Sequence, residues 1–178
     1  AGIWLGCRSF QAYRHIWHHS GRAVADFIVL DGPGATFVNM SLTGAIGFVY
    51  LLILRVPLNG PLVCCILAMT GFAAFGKHPK NVVPVMVGAI LSSVLMGHVP
   101  LTAQGTLLAT LLCTGLAPIA GQFGWAWGAA AGFIHMAIVQ HTSILHGGMN
   151  LYNNGFAAGL TCILVIPIIE ALKSEPKE

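Results

Sequence analysis

Long apolar runs broken by short polar or Gly/Pro punctuation set the character of this chain. Residues 35–56 form the first clear run, closed by Pro57, Asn59, Gly60 and Pro61. Residues 62–75 and 82–96 form a second and third, both short of the roughly 20 residues that a crossing helix needs. Residues 101–120, 125–145 and 151–172 complete the series. The pattern predicts an all-α integral membrane protein with about six hydrophobic helices. Some are expected to be short, broken or re-entrant, and the set resembles one half of a repeat architecture. Ahead of these runs, Phe10, Tyr13, Ile16 and Trp17 fall at helical spacing, with Arg14, His15, His18, His19 and Arg22 mostly on another side. That suits an interfacial amphipathic helix or a connecting helix packed on the bundle. Residues 1–32 thus read as the end of a preceding segment plus this helix, 33–173 as the transmembrane domain, and 174–178 as a polar tail.

Composition agrees with the pattern. The chain is 56% hydrophobic and 7% charged, whereas soluble domains are about one quarter charged. No Asp, Glu, Lys or Arg occurs between Asn81 and Ile169. The net charge of +3 sits at the ends and in one loop, which argues for membrane topology and lipid contact and against nucleic acid. With six crossings, Arg8, Arg14, Arg22, Lys77, Lys80, Lys173 and Lys177 fall on one side and Arg55 on the other. The expectation is a cell-membrane protein with both termini cytoplasmic. Five cysteines without a CxxC pair read as free thiols. Residues 1–7 look like the tail of an earlier apolar segment, so a fragment or a processed chain is expected.

Chemistry concentrates at polar residues inside the apolar tract. The stretch LHGGMNLYNNGFAAGL, residues 145–160, carries His146, Asn150, Tyr152, Asn153 and Asn154. So many amides suit a broken helix lining a wet cavity better than one facing lipid. Asn39, Ser41 and Thr43 head another run, and both Asn39 and Asn154 stand five residues before a glycine. Paired polar interruptions of this kind point to a transporter site. Packing glycines and caps are the plainer reading. These eight residues are the candidate solute contacts; Lys77, His78 and Asn81 are placed at a cavity mouth, with a topology anchor as the plainer role for the cations. Arg22 and Asp26, four apart, are read as a structural pair, and Glu170 as pairing with Lys173. His15, His18 and His19 spell HxxHH, a string found in membrane di-iron enzymes. No second box accompanies it and carboxylates are scarce, so neither metal nor cofactor is expected. Hydrolase, phosphate-loop and HExxH motifs are absent.

SFQAYRHIW, GRAVADFIVLDGPGATFVNMSLTG, GFAAFGKHPKN and LHGGMNLYNNGFAAG together resemble an uncharacterised family of bacterial multi-pass membrane proteins, known as a domain of unknown function. The resemblance runs over nearly the whole chain and implies a missing N-terminal half. It brings no activity. A fainter likeness to urea transporters rests on Asn39-Met40-Ser41-Leu42-Thr43-Gly44, which lacks their proline, and on Tyr152-Asn153-Asn154. That likeness implies inverted repeats and a homo-oligomer. The leading expectation is passage of a small polar solute or ion. A histidine or metal enzyme, or a non-transporting scaffold subunit, are the alternatives.

Overall fold

The computed structural model describes residues 8–22, 25–97, 99–147 and 149–174, which are helical with no strand. Two short helices come first, α1 (Arg8–Ile16) and α2 (Phe27–Leu30). The bundle follows: α3 (Pro33–Ile53), α4 (Gly60–Phe72), α5 (Pro79–Met96), α6 (Gln104–Leu112), α7 (Ala117–Phe123), α8 (Trp125–Thr142) and α9 (Asn150–Ser174). The starts follow from local chemistry. Proline opens α3, α4 and α5, where its missing N–H costs nothing. Asn59 caps α4 by accepting from the Leu62 N–H. Asp26 caps α2 by accepting from Ile28 and Val29, and forms no ion pair with Arg22 as the i,i+4 spacing had suggested.

Among the described residues four helices are long and apolar enough to cross a membrane: Pro33–Ile53, Pro79–Met96, Gln104–Phe123 and Tyr152–Lys173. The other two apolar runs fall short in different ways. The second forms α4, only 13 residues and about 20 Å long. The fifth forms α8, which has the length but carries His135, Gln140 and His141. The expected break also lies elsewhere. α9 is continuous from Asn150 to Ser174, Pro167 included, and the chain turns before it, at Gly147 with φ 56°. The interrupted helix is Gln104–Phe123, where Cys113–Leu116 tightens into a 3-10 turn between α6 and α7.

The burial pattern leaves large apolar side chains on the outer face of the bundle. Ile163, Leu164, Ile168 and Leu172 of α9 point outward and exposed, while Ala157, Val165 and Ile169 face the core. α5 and α8 approach most closely, because a Cβ at Gly88 would strike the Ala129 carbonyl and one at Gly132 the Val85 carbonyl. Small residues at such contacts let backbones meet and recover dispersion energy that lipid alone does not supply. Asn59 at the start of α4 bonds Gln104 at the start of α6, 3.0 Å apart. Both helices therefore begin at the same end of the bundle.

Candidate functional site: a covered recess around Lys77

α4 is too short to reach the far end, and the turn that follows it stays recessed. Its carbonyls need partners, since the last turn of a helix leaves them unpaired. Asn39, six residues into α3 and fully buried, supplies two: its Nδ2 donates to Ala73 O and Lys77 O, both at 2.7 Å. Asn81, in the first turn of α5, supplies the others. Its Nδ2 donates to Gly76 O at 2.9 Å and its Oδ1 accepts from the His78 N–H at 2.9 Å. Two amides from two helices thus hold one turn by its main chain.

The turn aims Lys77 inward. Its Nζ donates to Thr114 Oγ1 at 3.2 Å and lies 5.0 Å from the centre of the Phe72 ring. Thr114 sits in the 3-10 interruption and donates its own proton to Leu111 O at 2.7 Å. Among the described residues no carboxylate pairs with Lys77. Burial lowers its pKa to about 8 from the usual 10.5. A cavity of about 220 Å³ adjoins it, lined by Gly21, Phe72, Phe75, Gly76, Gly115 and Pro118.

His19, Gly21 and Phe27, between α1 and α3, cover this turn like a strap. His78 Nε2 lies 3.0 Å from the His19 carbonyl, and Phe27 N–H donates to Ala74 O at 3.0 Å. Gly21 and Gly76, both at positive φ, meet backbone to backbone; a Cβ on Gly21 would overlap Gly76 O. Burial also lowers the His78 pKa, so the imidazole is the neutral hydrogen-bonding form there.

Asn153 and Asn154 lie at the opposite end. Asn153 faces α8, accepting at Oδ1 from Thr142 Oγ1 (2.6 Å) and donating from Nδ2 to Val139 O (2.8 Å). Asn154 Oδ1 lies 3.2 Å from His135 Nε2, with both residues buried. Asn153 also lines a cavity of about 170 Å³ with Thr106, Gln140 and Ser143. Thr106 and that cavity belong to the α6 start, the end where α4 begins, so about one α4 length separates Asn153 from Asn39. The two asparagines of the sequence echo do not share a cavity among those described.

Other candidates point away from both places. Ser41 is exposed and donates to Phe37 O of its own helix. Thr43 is buried without a partner for its hydroxyl. Tyr152 is exposed, and His146 lies against Phe156 with Nδ1 3.3 Å from Thr142 O. The Asn150 side chain lies outside the described residues. Lys173 sits over the Phe123 ring and makes no ion pair with Glu170. Sequence reading missed Thr114, since one threonine in an apolar run carries no signal. His135 is likewise not among the residues singled out in the sequence, since no local spacing ties it to Asn154. A groove of about 410 Å³ between α3 and α5 exposes no polar atom and is unsuited to a polar solute.

The chain is thus an all-helical bundle, with helices long and apolar enough to cross a bilayer around a recessed cation and a second polar pocket. The family profile described as a protein of unknown function, DUF1576, matches residues 6–171, and the chain belongs to that family. Comparison with curated proteins and with solved structures gives no match.

Proposed function

We propose that this protein is a multi-pass membrane transporter or channel for a small polar solute or ion. Lys77 is the observation that carries the reading. A partly buried ammonium without a carboxylate partner, set beside an interrupted helix, is costly to keep. A solute with negative charge or oxygen acceptors would offset that cost. Thr114 would share the contact, and Asn39 and Asn81 would hold the turn that presents Lys77. At the other end the pocket of Asn153, Thr106, Gln140 and Ser143 is a second polar station, with Asn154 and His135 beside it.

In this reading α4 together with the turn that follows it, and α8, complete six crossings, and the positive-inside rule assigns both termini to the cytoplasmic side. The Lys77 recess then opens toward the cytoplasm and the Asn153 pocket away from it. The test is reconstitution in liposomes, with osmotic swelling followed for a panel of small anions and neutral solutes. Permeability above that of empty liposomes is expected. Lys77→Met keeps the stem over Phe72 and should cut anion flux at least tenfold; Asn154→Leu should abolish flux. Flux equal to empty vesicles for the whole panel, or equal flux in both variants and the parent, rejects the reading.

A further inference from the structure

On the strap that covers the Lys77 turn, three ligand-type side chains converge. His15 Nδ1 lies 2.8 Å from Asp31 Oδ1, and His19 Nε2 lies 3.1 Å from Asp31 Oδ2. One donor atom from each residue lies within 4.8 Å of the other two. The Asp31 side chain is 2% exposed, with no Lys or Arg partner among the described residues. We propose that His15, His19 and Asp31 form a binding site for a divalent transition-metal ion of the zinc class.

The donor set fits such an ion. Two imidazoles and one carboxylate are zinc ligands at about 2.0–2.2 Å, and three protein ligands leave a position for water. Donors bound at those distances sit about 3 to 3.5 Å apart, so the hydrogen-bonded trio is already close to binding geometry. Two ligands have rigid support. The Asp31 N–H bonds Phe27 O at 2.9 Å, and Gly32 and Pro33 begin α3 directly after it. The His19 ring packs 5.3 Å from that of Phe27, and its carbonyl lies 3.0 Å from His78 Nε2. His15 is 68% exposed at its side chain, which gives an ion a way in. A buried carboxylate shared by two imidazoles also lacks a fixed positive charge, which a divalent ion would supply.

The chemistry links distant parts of the strap. An ion there would tie the end of α1 to the junction of α2 and α3, across the cover of the Lys77 turn. The site is independent of the transport reading, because it is read without any flux.

The experiment uses the full chain in detergent, purified without a histidine tag and stripped with EDTA. Co2+ is titrated while its visible absorption and the bound metal per chain are followed, and Zn2+ is then used to displace it. One ion per chain is expected, with a spectrum of nitrogen coordination, and Zn2+ should raise the Tm. His15→Ala lies at an exposed position and His19→Ala in a folded chain; each should weaken binding about tenfold or more. Asp31→Asn should do the same, and His141→Ala should leave binding unchanged. Absence of a stoichiometric ion in the parent chain overturns the proposal. So does binding that survives the combined His15→Ala and His19→Ala changes, in which case the trio is a hydrogen-bonded staple.

Discussion

At the Lys77 end, Asn39 and Asn81 commit their amides to the main chain of one turn. At the opposite end, Asn153 and Asn154 commit theirs to α8, to a carbonyl, a hydroxyl and an imidazole. The first pair shapes a loop and leaves a cation facing a cavity. The second pair joins two helices and leaves one amide at the edge of a small pocket. Buried amides are therefore poor markers of a solute site in this fold. They mark places where the backbone or a neighbouring helix needed a partner, and the group left for a solute is the one they position.

Breaking the near end should have the largest effect on folding. Asn39→Leu strands a buried carbonyl at Ala73 and a part-buried one at Lys77, which costs roughly 2–4 kcal/mol. Unfolding in detergent, by heat or by SDS titration, should read that loss. A change below 1 kcal/mol would mean that water reaches the turn and that Asn39 does not hold it. At the far end, Asn153→Ala removes bonds to Thr142 and Val139 from a site bordered by a cavity. A water can take their place there, so the same assay should read a smaller loss, about 1–2 kcal/mol. Equal losses at both ends would erase the distinction drawn here.

A third test reads only the near end. Lys77 in the folded chain holds its proton up to about pH 8, against 10.5 when unfolded. Between those values the unfolded chain binds more protons, so stability rises with pH across that window. Anion flux should run the other way and fall as pH rises through 8. Lys77→Met should flatten both profiles, and Asn153→Ala should leave both slopes in place. A flux that is flat from pH 7 to 9 in the parent protein would remove the ammonium from the solute path.

Much of the architecture was legible in the residues. The runs that became α3, α5, α6–α7 and α9 are apolar by composition, and any chain with such runs must bury or face them to lipid. The Asn59-Gly60-Pro61 punctuation follows the end of the first run as expected, and in the structure it also caps and opens α4. Less was legible at the site. Lys77, His78 and Asn81 were grouped by adjacency, and the structure does bring them together with Asn39. The reach of Asn39 to Ala73 and Lys77 spans 34 and 38 positions, and that of Lys77 to Thr114 spans 37. No local period reports on distances of that kind.

Hydrophobicity is a property of each segment alone, so the order of residues sets which stretches leave water and where glycine and proline interrupt them. Which polar side chain meets which carbonyl depends on the faces that helices turn to one another. That is decided by shape, by the glycines that let α5 and α8 touch, and by the length of α4, which stops early and leaves the turn after it inside. Lys77 owes its recessed place to that early stop, and His15, His19 and Asp31 owe their meeting to the fold of the strap above it.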